Sequence, residues 1–142
     1  MTDPNQVDLH AVVAMMPFAQ SSGVLLAAAA PGEVAGYLDW APERCTTAGM
    51  LHGGALMTLS DSVGAVCAFL NLPPGATTST IESKTNFFRA VRRGRVHATA
   101  RPVHVGRSVV VIQTDLRDDA GKAVALALQT QSVVRPEAAP PG

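Results

Sequence analysis

Cysteine is scarce: Cys45 and Cys67 are the two thiols in 142 residues, too few and too badly spaced for a disulfide framework or a zinc site. A reduced, cytoplasmic protein is the expectation. Aromatics make up 4% and charged residues 15% of the chain, with formal net charge zero, so the basic field and stacking platform of a nucleic-acid binder are missing. No run reaches the roughly 18 uncharged apolar residues of a membrane span. The nearest, 53–70, is broken by Thr58, Ser60, Asp61, Ser62 and Gly64. The first residues, Met1 to Gln6, lack the basic and apolar regions of a secretion signal. There is no Gly-x-Ser-x-Gly elbow for a serine hydrolase. His10, His97 and His104 have no metal-ligand spacing and read as surface or strand residues.

What is plentiful is apolar side chain, at 47%. Residues 1–142 are expected to form one domain with an ordered core at about 7–134 and a proline-rich, disordered tail at 135–142. So little charge over so much apolar surface favours oligomerisation. Residues 7–16 have spaced apolar positions and predict a short helix ended by Pro17. Val24 to Ala30 and Val34 to Trp40, separated by Pro31-Gly32-Glu33, predict a hairpin. After a loop over 42–49, the pattern predicts a helix over about 53–70, stopped by Pro73-Pro74-Gly75. Four extended segments follow, at 77–90, 94–105, 108–116 and 122–134, read as an antiparallel meander whose last two strands are apolar. One long helix with a hairpin before it and four strands after it predicts an α+β domain, its antiparallel sheet wrapped around the central helix.

The helix begins His52-Gly53-Gly54 and carries Asp61 two turns in. A helix N-terminus presents amide N–H groups without intrahelical partners and a positive dipole end, a setting that holds an oxyanion. Aspartate is a poor residue for a helix interior and costly to bury unpaired. A structural turn and a hydrogen-bonded structural acid remain an alternative. Eight residues at about 1.5 Å each put Asp61 roughly 12 Å from Gly53 along the axis. The two cannot easily serve one carbonyl in one chain; two antiparallel copies of the helix about a twofold axis could pair them. Met15, Met16 and Met57 read as packing residues, Gly64, Ala65 and Ala68 as a close-approach surface for a second helix. Six arginines between Arg89 and Arg107 suggest a local anion site.

In order, Met16-Pro17-Phe18, Gly23, Pro31-Gly32, Gly49-Met50-Leu51-His52-Gly53-Gly54 through Asp61, Thr80 to Arg89, and Val105-Gly106-Arg107-Ser108 resemble the hotdog-fold acyl-CoA thioesterases of the phenylacetate-degradation, or PaaI-like, group. The resemblance spans nearly all of residues 12–134. It implies that Asp61 is the catalytic carboxylate, as nucleophile or as general base on water. It implies that the Gly53 amide of the other subunit polarises the thioester carbonyl, with His52 shaping the loop. A hydroxyl early on the next strand helps position water or acid in relatives, a place that falls on Thr80. Relatives commonly have asparagine six residues before the histidine; Thr46 stands there, offering one hydrogen-bond donor in place of two. Phe88-Arg89-Ala90 and Gly106-Arg107-Ser108 are implied to contact coenzyme A, with Arg89 and Arg107 near its phosphates. Planar guanidinium groups suit phosphate, and Arg107 beside Gly106 combines that with a flexible backbone.

The function so implied is hydrolysis of an acyl-CoA to free acid and CoA at a homodimer interface, the dimers themselves pairing. Coenzyme A enters as part of the substrate; no cofactor or metal is expected, and no nucleic-acid or membrane partner. Thr46 keeps open a non-catalytic acyl-CoA-binding or sensing module. Enoyl hydration is weaker, as no Asp and His sit together at the start of the helix.

Overall fold

The computed structural model describes residues 7–138 and 141–142. The first helical stretch is two helices, α1 (Leu9–Ala14) and α2 (Pro17–Ser22). Asp8 caps α1, its Oδ1 accepting from the His10 and Ala11 amides at 3.0 and 3.2 Å. The expected helix within 7–16 is α1, which ends before Pro17; the proline also opens α2, at the first helical position, where its missing N–H costs nothing. The hairpin forms as anticipated, β1 (Leu25–Ala30) and β2 (Glu33–Asp39), with Ala30 opposite Glu33 across Pro31-Gly32.

Residues 42–49 hold two single 3-10 turns, Pro42–Arg44 and Thr47–Gly49. A bridge between Cys45 and Leu51 then returns the chain to the mouth of α3 (Gly53–Phe69). Four strands follow: β3 (Thr77–Phe87), β4 (Arg95–Val105), β5 (Val109–Arg117) and β6 (Ala123–Val134). With β1 and β2 they form one six-stranded antiparallel sheet in the order β1-β2-β4-β5-β6-β3. The meander therefore covers β4 to β6 only. β3 pairs with β6, because β2 already occupies the free side of β4. Segment 88–94 carries the chain across, held by the Phe88 and Arg89 amides on the Val124 carbonyl.

The sheet curls around α3. Leu56, Leu59, Val63 and Cys67 of the helix pack against Val34, Leu38, Val96, Ala98, Ile112 and Leu116 of the strands. One ridge of α3 stays uncovered: Met57, half-buried Asp61, Ala65 and Phe69 follow one another at i+4, with Met57 40% and Phe69 56% exposed. Met57 and Met15, expected to pack, are both exposed.

β3 is an edge strand bordering that open ridge. Its pairing slips at Ile81, a bulge between Thr80↔Gln131 and Glu82↔Thr130. The slip lets Thr78 and Thr80 on one side, and Ser83, Thr85 and Phe87 on the other, all face α3. The disordered-tail expectation at 135–142 falls partly on residues 139–140, which lie outside the described residues. Before them, Arg135 donates to the Arg107 carbonyl at 3.1 Å. No described helix is long and apolar enough to cross a membrane.

Candidate active site

His52 closes the helix mouth from within. Its Nδ1 accepts from the Gly54 amide at 2.7 Å, and its carbonyl accepts from Ala55 and Leu56. The N-terminus is thus less bare than the sequence suggested. Among the described residues the Gly53 amide alone of this first turn has no acceptor, and it is the orphan donor a ligand oxygen could take. The His52 amide bonds the Arg44 carbonyl at 2.9 Å. Arg44 is itself pinned, Nε to the Ser22 carbonyl and one terminal nitrogen to the Asp39 carbonyl, under Gly23, which has no side chain to block it. Thr46 lies exposed in the Cys45–Leu51 loop, its amide on the Met50 carbonyl.

Asp61 is held at Oδ1. Thr80 Oγ1 donates to that oxygen at 2.9 Å and Gln129 Nε2 at 3.2 Å, while Oδ2 accepts nothing among the described residues. Behind Thr80, Gln131 Nε2 donates to its hydroxyl at 2.7 Å. Sequence reasoning missed both glutamines, having read 122–134 as apolar. Alternation in the sequence groups 125, 127, 129 and 131 on one face of β6, and the structure shows that face to be the buried one, with Gln129 and Gln131 in line with Ala125 and Ala127. It missed the use of Gly64 as well. That glycine does not admit a second helix; a Cβ there would lie 2.2 Å from Gln129 Oε1.

The sequence-predicted residues fall into two groups at opposite ends of the sheet. His52, Gly53 and Thr46 share one end with Phe87, whose ring comes within 3.4 Å of a Cβ built on Gly53. Phe88, Arg89 and Ala90 continue from there, where Arg89 and Arg93 wall a cavity of about 650 Å³ with Asp118 and Asp119. A second cavity, about 670 Å³, flanks the helix mouth between Phe18, Arg44, Cys45, His52 and Thr58. Asp61, Thr80 and the glutamines form the other group. Gly106, Arg107 and Ser108 belong to it, since Ser108 accepts from Val133 two residues from Gln131. β4 and β5 separate the arginine groups: eleven residues of β4 span about 35 Å. Within one protomer neither Gly53 meets Asp61 nor Arg89 meets Arg107. No three His, Cys, Asp or Glu side chains come together as a metal site among the described residues.

Residues 48–125 match the Thioesterase superfamily. The 1,4-dihydroxy-2-naphthoyl-CoA hydrolase of Escherichia coli is 34% identical over 74 residues, 52% of this chain and 54% of that one. A thioesterase of Haemophilus influenzae superposes with TM-score 0.85 at 25% identity, covering 95% of this chain and 96% of the other. A mutant of the phenylacetic acid degradation protein PaaI from Thermus thermophilus gives 0.74 at 28%, covering 84% and 99%. The stretch aligned in the curated relatives spans about three fifths of their length.

Proposed function

Because the chain belongs to the thioesterase superfamily and has its hotdog fold, we propose that it hydrolyses an acyl-CoA thioester at a site shared between two copies of itself. The sorting of the candidate residues into two distant groups supports this most. A twofold axis beside β3 lays the ridge Met57-Asp61-Ala65-Phe69 against its counterpart and brings each Asp61 to the other chain's Gly53. The same operation joins Arg89 of one chain to Arg107 of the other around the CoA phosphates. The E. coli relative's CoA-ester substrate favours this substrate class.

In this mechanism the thioester oxygen takes the orphan Gly53 amide, and the charge that develops there meets the positive end of α3. Asp61 Oδ2 then attacks the carbonyl carbon or removes a proton from the attacking water. Attack by Asp61 expels CoA as a thiolate, which takes a proton from solvent, and leaves a mixed anhydride that water hydrolyses to regenerate the carboxylate; in the general-base route the proton taken from water passes from Asp61 to the departing sulfur. Both routes end in free acid and CoA thiol. Thr46 is exposed beside the helix mouth, where its one hydroxyl proton could add a second donor. The dimers are proposed to pair further, and the site to lie in the cytoplasm.

Two variants test the arrangement. Asp61→Asn should lower turnover about 10²-fold or more. Gly53→Pro removes the donor at a position where proline suits a helix, after an extended His52 (φ −65°, ψ 138°), and should cost about 10² to 10³. Mixing the two inactive proteins and allowing subunits to exchange should restore about a quarter of wild-type activity, since random pairing leaves one intact site in each heterodimer. No recovery despite proven exchange would refute the shared site. Acyl-CoA binding without thiol release in the wild type would instead support the sensing module.

A further inference from the structure

Gln129 and Gln131 are each 1% exposed, facing α3 from a strand whose other residues on that face include buried Ala125 and Ala127. A primary amide in such surroundings costs free energy unless its groups are bonded, so its presence asks for a reason. Both chains of bonds end at the same atom. Gln129 Nε2 reaches Asp61 Oδ1 directly at 3.2 Å and the Asp61 carbonyl at 3.4 Å. Gln131 Nε2 reaches it through Thr80, whose hydroxyl accepts from the amide at 2.7 Å and donates to Oδ1 at 2.9 Å. Thr78 Oγ1 lies 3.1 Å from Gln131 Oε1 and completes the row.

The direction of these bonds matters. Thr80 has one hydroxyl proton. With Gln131 donating to it, that proton is left for Asp61; with the amide turned over, Thr80 would donate to Gln131 and set a lone pair against an ionised carboxylate. Gln129 turned over would do the same directly. The bonding therefore puts two donors on one oxygen of Asp61 and leaves the other oxygen open.

Resting on the hydrolytic reading of Asp61, we infer that Gln129 and Gln131 are positioning residues, which hold the carboxylate by Oδ1 alone so that Oδ2 is presented to the reaction. Gly64 belongs to the device. Gln129 Oε1 has no hydrogen-bond partner and lies in the notch left by that glycine, which any side chain would close.

The test is steady-state hydrolysis of benzoyl-CoA and hexanoyl-CoA by Gln129→Met, Gln131→Met and Thr80→Val, which keep approximate size and remove the donors. Each should lower kcat about tenfold or more, a hydrogen bond to a charged group being lost, with KM within about twofold of wild type. Thr80→Ser should retain most turnover. Gln131→Met added to Thr80→Val should cost nothing further, because Gln131 acts through that hydroxyl. Multiplicative losses in the double variant, or undiminished kcat in both glutamine variants, would overturn the inference. Undiminished turnover in Asp61→Asn would instead overturn the hydrolytic reading itself. Should the methionine variants not fold, Gln129→Glu and Gln131→Glu replace them: Gln131→Glu turns the Thr80 proton away and should lose turnover, and wild-type turnover in both counts against the inference.

Discussion

Replacing Gly64 by alanine should separate packing from chemistry. The added methyl meets the Gln129 amide and not an apolar neighbour, so the amide must leave Asp61 or the helix must move. We expect a loss of about 1–3 kcal/mol on chemical denaturation with a fall in kcat like that of Gln129→Met. Cys67 gives a second expectation. Fully buried, its thiol is pushed up to about 11 from 9.0. Between those values the unfolded chain loses the proton while the folded one keeps it, so stability falls as pH rises from about 9 to about 11, by about 1.4 kcal/mol per unit. Urea titrations at pH 8 and 10 should show that drop, and Cys67→Ala should remove it. At this scale Asp61 and Gly53 were legible because helix geometry alone makes them unusual. Gln129 and Gln131 were not, because alternation along a strand shows which residues share a face but not which face is inward.

Among the elements, the short loop into α3 depends on one side chain. Arg44 ties the end of α2 and the end of β2 together and offers its carbonyl to His52, so Arg44→Ala strands two carbonyls and loosens the cap. A loss of about 1–3 kcal/mol is expected in thermal melts, with a larger proportional fall in turnover than in CoA binding. The hairpin, the central helix and all four later strands could be placed from Pro-Gly turns and apolar period. Their pairing could not: β3 lies beside β6 and not β4, a choice fixed by which edge β2 has already taken. α2 escaped notice for a related reason, since a proline stops the helix before it and starts the one after.

For the molecule as a whole, the uncovered ridge of α3 and the free edge of β3 lie side by side. An eleven-residue edge strand with Ile81 exposed on it invites pairing with another chain. Ile81→Lys should weaken that pairing. Light scattering should then report smaller particles, and activity should become dependent on protein concentration, while the bonds at Asp61 within each chain persist. Persistence of both the wild-type mass and concentration-independent turnover would place the interface elsewhere. The low charge content already favoured oligomerisation in the sequence; the strand order adds where the proposed contact would form, since it leaves β3 at an edge.

The bulge at Ile81 divides β3 into two segments whose inward faces are set independently. The half that tends the acid and the half that approaches the helix mouth can therefore accept changes separately, since a substitution in one need not shift the register of the other. In the proposed twofold assembly those halves serve different reaction centres, so an alteration on one half of the strand leaves the twin centre undisturbed.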